Sequence, residues 1–102
     1  MTSDQLGGVR MERLRTARPE FTYDLDAGTN VSWGLDIMLT VTGQPGMRPA
    51  GSFGWCGTFN NYYWIDPVND LAAALHMSYL PLFDPEAIAL YEAFERTLYA
   101  CL

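Results

Sequence analysis

The chain contains no lysine: its six basic residues are Arg10, Arg13, Arg15, Arg18, Arg48 and Arg96. Chemistry that needs a titratable amine, a Schiff base or a lysine base beside a serine, is therefore excluded from these 102 residues. One histidine, His76, leaves no histidine pair to ligate a metal. Two cysteines, Cys56 and Cys101, stand far apart in sequence. They predict small thiols in a reduced, cytoplasmic protein rather than a disulfide framework. Twelve acidic residues against six arginines give a formal charge of −6 with no basic stretch. Phosphate neutralisation is unavailable, so a nucleic-acid partner is not expected. No apolar run is long enough to span a bilayer, and Met1-Thr2-Ser3-Asp4-Gln5-Leu6 lacks the basic start and apolar core of a signal peptide. No cofactor, metal or membrane partner is implied, and neither a repeat nor a low-complexity tract is present.

What is present is apolar surface. Hydrophobic residues make up 49% of the chain and aromatics 14%, too much for disorder and enough for one modest core. Residues 1–32 read as an irregular segment. Thr2-Ser3-Asp4-Gln5 resembles a helix cap, but Gly7-Gly8 allows at most one turn. Val9, Met11 and Leu14 alternate poorly with four arginines. Asp24 and Asp26 suggest a calcium loop only until the missing glycine and closing glutamate are noticed, and they read as solvated loop carboxylates. Residues 33–102 read as an antiparallel sheet plus a C-terminal helix. Trp33 to Val41 alternates as a single strand, with Trp33, Leu35, Ile37, Leu39 and Val41 on the buried face. The connector 42–49 holds two prolines and two glycines and excludes regular structure. After the turn signal Asp66-Pro67, residues 71–80 read as another strand with His76 at its middle. The helix has the clearest local signature: Asp84 caps, Pro85 takes the first position, Glu86 favours the positive dipole end, and Ala87, Tyr91, Phe94, Leu98 and Cys101 form one stripe.

The stretch that organises the rest is Gly51-Ser52-Phe53-Gly54-Trp55-Cys56-Gly57-Thr58-Phe59, followed by Asn60-Asn61-Tyr62-Tyr63-Trp64-Ile65-Asp66-Pro67. Small residues at 51, 52, 54, 56 and 57 leave backbone open to close approach, and the apolar run 62–65 then reads as a buried strand. Tyr62, Tyr63 and Trp64 are read as core packing, not as a stacking platform for bases or sugars. Together with Arg48-Pro49-Ala50, this stretch resembles the C-terminal part of β-lactamase-related serine hydrolases, nearest to family VIII carboxylesterases and class C β-lactamase-like proteins. Three motifs build the site in that superfamily: Ser-x-x-Lys, Tyr-x-Asn, and a strand motif written Lys-Thr-Gly or Trp-x-Gly. Trp55-Cys56-Gly57 matches the third. The first requires a lysine, and none of Tyr23, Tyr62, Tyr63, Tyr79, Tyr91 or Tyr99 begins the second.

The resemblance implies an α+β fold: an antiparallel sheet of three to four strands covered by a C-terminal helix, a partial β-lactamase/transpeptidase-like fold. It implies that the backbone of Gly57 and Thr58 forms part of an oxyanion site, with the Thr58 N–H as second donor beside an absent serine. Trp55, where lactamases carry lysine, and Cys56, where the family prefers a smaller residue, would then contact substrate. An indole there favours an uncharged acyl ester over a charged antibiotic. Taken without that resemblance, Gly57 is a glycine in a strand corner, Trp55 a core tryptophan and Cys56 an inert buried thiol. The resemblance further implies an exposed edge at 71–80, suited to self-association or to docking of the portion that bears the nucleophile. By itself the chain is expected to be inactive. The alternative is a non-catalytic binding or assembly module that reuses the half-fold.

Overall fold

The computed structural model describes residues 2–9, 13–26 and 30–102. Among the described residues, seven strands and one helix follow in order: β1 (Arg13–Leu14), β2 (Leu25–Asp26), β3 (Val31–Trp33), β4 (Met38–Thr40), β5 (Phe53–Gly57), β6 (Asn61–Asp66), β7 (Leu71–Leu75) and α1 (Pro85–Ala100). β1 and β2 make a small two-stranded ladder, and β3 to β7 form a five-stranded antiparallel sheet in sequence order.

Five strands stand where three or four were expected, because Trp33–Val41 is not one strand. The chain reverses between β3 and β4: Asp36 takes a φ of 69° and the Gly34 N–H donates to the Ile37 carbonyl at 2.9 Å. Aspartate is one of the few residues that tolerates this left-handed conformation, so the turn interrupts an alternation that the sequence shows as unbroken. Leu35, expected in the core, is therefore exposed at the turn, whereas Ile37 and Leu39 are buried. The sheet begins at Val31, before the expected boundary at 33.

Among the described residues no helical turn forms near the start. Asp4 instead accepts from the Leu6 N–H at 2.8 Å and from the Ser32 hydroxyl at 2.7 Å, tying the segment 2–9 to β3. Leu6 and Val9 are exposed, while Met11 lies outside the described residues. β7 stops at Leu75, so the expected strand 71–80 is half as long. His76 lies beyond its end and is exposed, not within an apolar strand.

α1 covers one face of the sheet. Asp84 caps it by accepting from the Glu86 and Ala87 N–H groups, with Pro85 at the first position. Tyr91 stacks on Tyr62 with ring centroids 4.3 Å apart, and Trp64, fully buried, meets Tyr91 and Phe94 edge-on. This aromatic cluster fills the space between helix and sheet, and Ile37, Leu39 and Ala87 are the other buried apolar side chains among the described residues. Cys101 falls past the helix end and is exposed, so it leaves the stripe. Besides Ala87, the residue buried beneath the helix is Glu95, which is 1% exposed. Glu95 accepts from Arg48 Nε and Nη2 at 2.7 Å each and from the Arg48 backbone N–H at 2.9 Å. The guanidinium lies 4.5 Å from the Trp64 ring centroid and donates to the Tyr91 hydroxyl. Among the described residues no helix is long and apolar enough to cross a membrane.

Candidate functional site

β5 and β6 approach closely at Gly54. A Cβ there would lie 2.1 Å from the Tyr63 carbonyl oxygen, so the fold itself demands glycine at 54. Gly57 behaves differently. A Cβ at 57 would meet nothing nearer than Asn61 Cβ at 3.7 Å, ordinary van der Waals contact. Packing among the described residues gives no reason for a bare backbone at 57.

The edge of β5 supplies a setting for one. β4 pairs with β5 only through Met38 opposite Gly54 and Leu39 opposite Phe53. Trp55, Cys56 and Gly57 run past the end of β4 and are paired on the β6 side alone, opposite Tyr63, Tyr62 and Asn61. The Thr40 N–H donates to the Ser52 carbonyl at 2.8 Å, so strand alternation directs the peptide groups of Gly54 and Cys56 toward β4's side. Continued to the first residue of the turn, it directs the Thr58 amide the same way. Gly57 and Trp55 are half-buried and Thr58 is exposed, so this corner lies at the rim of the sheet.

The side chains around the corner are apolar. The Trp55 ring meets the Trp33 ring at 4.7 Å and 87°, an edge-to-face pair joining the β3–β4 hairpin to the motif strand. Cys56 lies opposite Tyr62 and, with Trp55, Val31, Met38 and Tyr91, lines a cavity of about 230 Å³ between sheet and helix. Burial pushes the Cys56 thiol up to about 12, so at neutral pH it stays protonated and is not a nucleophile. Among the described residues no three His, Cys, Asp or Glu side chains converge as a metal site would require. Asp24 is engaged otherwise, accepting from the Thr16 N–H at 2.8 Å and Arg13 at 3.0 Å; the side chain of Asp26 is outside the description.

The residue that sequence reasoning passed over is Asn60. The turn joining β5 to β6 has three residues, closed by the Asn60 N–H donating to the Gly57 carbonyl at 3.1 Å, and Asn60 adopts a φ of 61°. Three-residue hairpin loops need a left-handed third position, and asparagine tolerates it. The signal was readable in Thr58-Phe59-Asn60. Its fully buried side chain was not, because that follows from a segment distant in sequence.

No protein-family model and no curated protein matches the chain. Among solved structures it is similar to simvastatin synthase (LovD) from Aspergillus terreus. The LovD9 mutant aligns at 28% identity and a TM-score of 0.65 over 69% of this chain and 18% of that one. The LovD6 mutant and the unliganded selenomethionyl derivative align at the same identity and coverage with TM-scores of 0.64. The chain thus spans 18% of the length of the structures it matches. Its five-stranded antiparallel sheet with one C-terminal helix is a partial β-lactamase-like α+β fold.

Proposed function

We propose that the chain supplies one side of an acyl-transfer centre, whose serine nucleophile is carried by polypeptide outside these 102 residues. The observation that carries this reading is Gly57: a bare backbone that packing among the described residues does not require, at a strand edge that no other described strand covers. In this reading Gly57 leaves room for an acyl group, and the Thr58 N–H is one of two donors to the developing oxyanion. Losing one such donor costs roughly 3 kcal/mol of transition-state stabilisation. Trp55 and Cys56 wall the site with apolar surface, which suits an uncharged ester of the carboxylesterase type. The likeness to simvastatin synthase, together with the Trp-x-Gly motif, supports acyl chemistry of this fold. The open edge of β7 is where the remainder of the fold, or a second copy, adds a strand. The setting is cytoplasmic, in keeping with two unpaired thiols.

The test is an assay on short-chain p-nitrophenyl esters. The purified chain is expected to show no turnover. Expression in frame with upstream coding sequence bearing Ser-x-x-Lys is expected to restore it, and serine-to-alanine substitution in that motif to abolish it. Turnover by the 102-residue chain alone would overturn the proposal.

A further inference from the structure

Asn60 gathers an unusual number of partners for one buried side chain. Its Nδ2 donates to the Tyr79 and Pro81 carbonyls at 2.9 Å each, and its Oδ1 accepts from the Tyr62 hydroxyl at 2.7 Å and the Phe83 N–H at 3.0 Å. Both donor hydrogens and both acceptor lone pairs are used. Its neighbours reinforce the same join. The Met77 N–H donates to Asn61 Oδ1 at 2.7 Å, and the Tyr79 N–H to the Phe59 carbonyl at 3.3 Å. Phe83 stands at a φ of 62°, a costly conformation for a large side chain, and its N–H is one of those held by Asn60. The turn that follows Trp55-Cys56-Gly57 is thus fastened to the segment 77–83, which returns from β7 to α1. A reverse turn at a sheet rim is otherwise among the mobile parts of a domain.

We propose that Asn60 is a positioning residue: through the segment 77–83 it holds the Thr58–Phe59 turn, and hence the Thr58 amide, in one orientation. Any consequence for catalysis rests on the oxyanion reading above, whereas the fixed orientation does not. Preorganised donors stabilise a developing charge only when they need not reorient during reaction, so a loose turn would forfeit that effect.

The experiment is ¹⁵N relaxation on the isotope-labelled chain and two variants. Asn60→Gly accepts the left-handed conformation without strain and removes all four side-chain bonds. Asn60→Asp keeps the acceptor for Tyr62 and Phe83, loses both donors and sets its second carboxylate oxygen against the Tyr79 and Pro81 carbonyls. In the unmodified chain the Thr58 and Phe59 amides are expected near the rigid order parameter of ~0.85, falling below ~0.6 in Asn60→Gly and falling also in Asn60→Asp. Tyr63 and Trp64 are expected to stay rigid throughout. A general structural role predicts the reverse pattern, a lower melting temperature with Thr58 as ordered as before, and that result would overturn the proposal. Should Asn60→Gly fail to fold, Asn60→Asp carries the same comparison, and an unchanged Thr58 there is equally fatal. No turnover enters the measurement, so failure of the acyl-transfer reading would leave its outcome intact.

Discussion

At the scale of single residues, glycine has two meanings three positions apart. Gly54 is glycine because two backbones nearly touch there, whereas at Gly57 the described residues leave room for a side chain. The two substitutions should therefore separate. Gly54→Ala forces β5 away from β6 and is expected to destabilise by about 3 kcal/mol, in the upper range of overpacking. Gly57→Ala is expected to change stability by less than about 1 kcal/mol. Urea unfolding of both variants measures this directly. Equal losses would mean that 57 is a structural position and that the candidate site loses its main support. Sequence composition shows both glycines alike, and only the spacing between strands distinguishes them. Asn60 is a similar case. Its turn role follows from local chain rules, but its four partners are contributed by Tyr62 and by a segment some twenty residues later.

At the scale of elements, α1 was legible almost completely and β3–β4 was not. Helix ends announce themselves through side chains that satisfy terminal backbone groups, and Asp84-Pro85-Glu86 does so within three residues. The hairpin hides its turn because Asp36 continues the polar alternation while reversing the chain. Buried Glu95 was hidden for a different reason: its partner, Arg48, lies in the connector before β5, and periodicity records no pairing across such distance. The pair clamps that connector to the helix, with the guanidinium over Trp64 and Tyr91. Burial opposes the arginine's charge, but Glu95 and Tyr91 together more than offset this and hold it protonated. Glu95→Ala leaves a desolvated cation and is expected to cost about 3–5 kcal/mol. The joint replacement Arg48→Met with Glu95→Leu removes both charges and is expected to recover most of that loss. A double-mutant cycle by chemical denaturation decides. If the joint variant is as unstable as Glu95→Ala, the clamp acts through shape rather than charge.

For the whole molecule, the layered arrangement was readable: an apolar stripe on one helix and alternating strands permit few other solutions. Less readable was how unevenly titratable groups are distributed through it. The helix-covered side concentrates Cys56, Tyr62, Tyr91 and Tyr99, and burial raises all four above their ordinary values. Tyr99 is pushed up to about 12, burial acting first and its bond to the Asp66 carboxylate second. Each group is neutral when protonated, and the folded chain keeps its proton longer than the unfolded chain does. Between the two pKa values the unfolded state binds fewer protons, so stability falls as pH rises. The contribution is fully present below about 9, the ordinary thiol value, and is lost as pH climbs through about 12, where folded Cys56 and Tyr99 titrate. Urea midpoints taken at pH 7, 9 and 10.5 are therefore expected to be level over the first interval and to drop over the second. Cys56→Ala should lessen the drop by removing the group that begins to ionise earliest in the unfolded chain. A midpoint that stays flat to pH 10.5 would mean that solvent reaches these hydroxyls and the thiol, and that α1 does not seal the aromatic layer against the sheet.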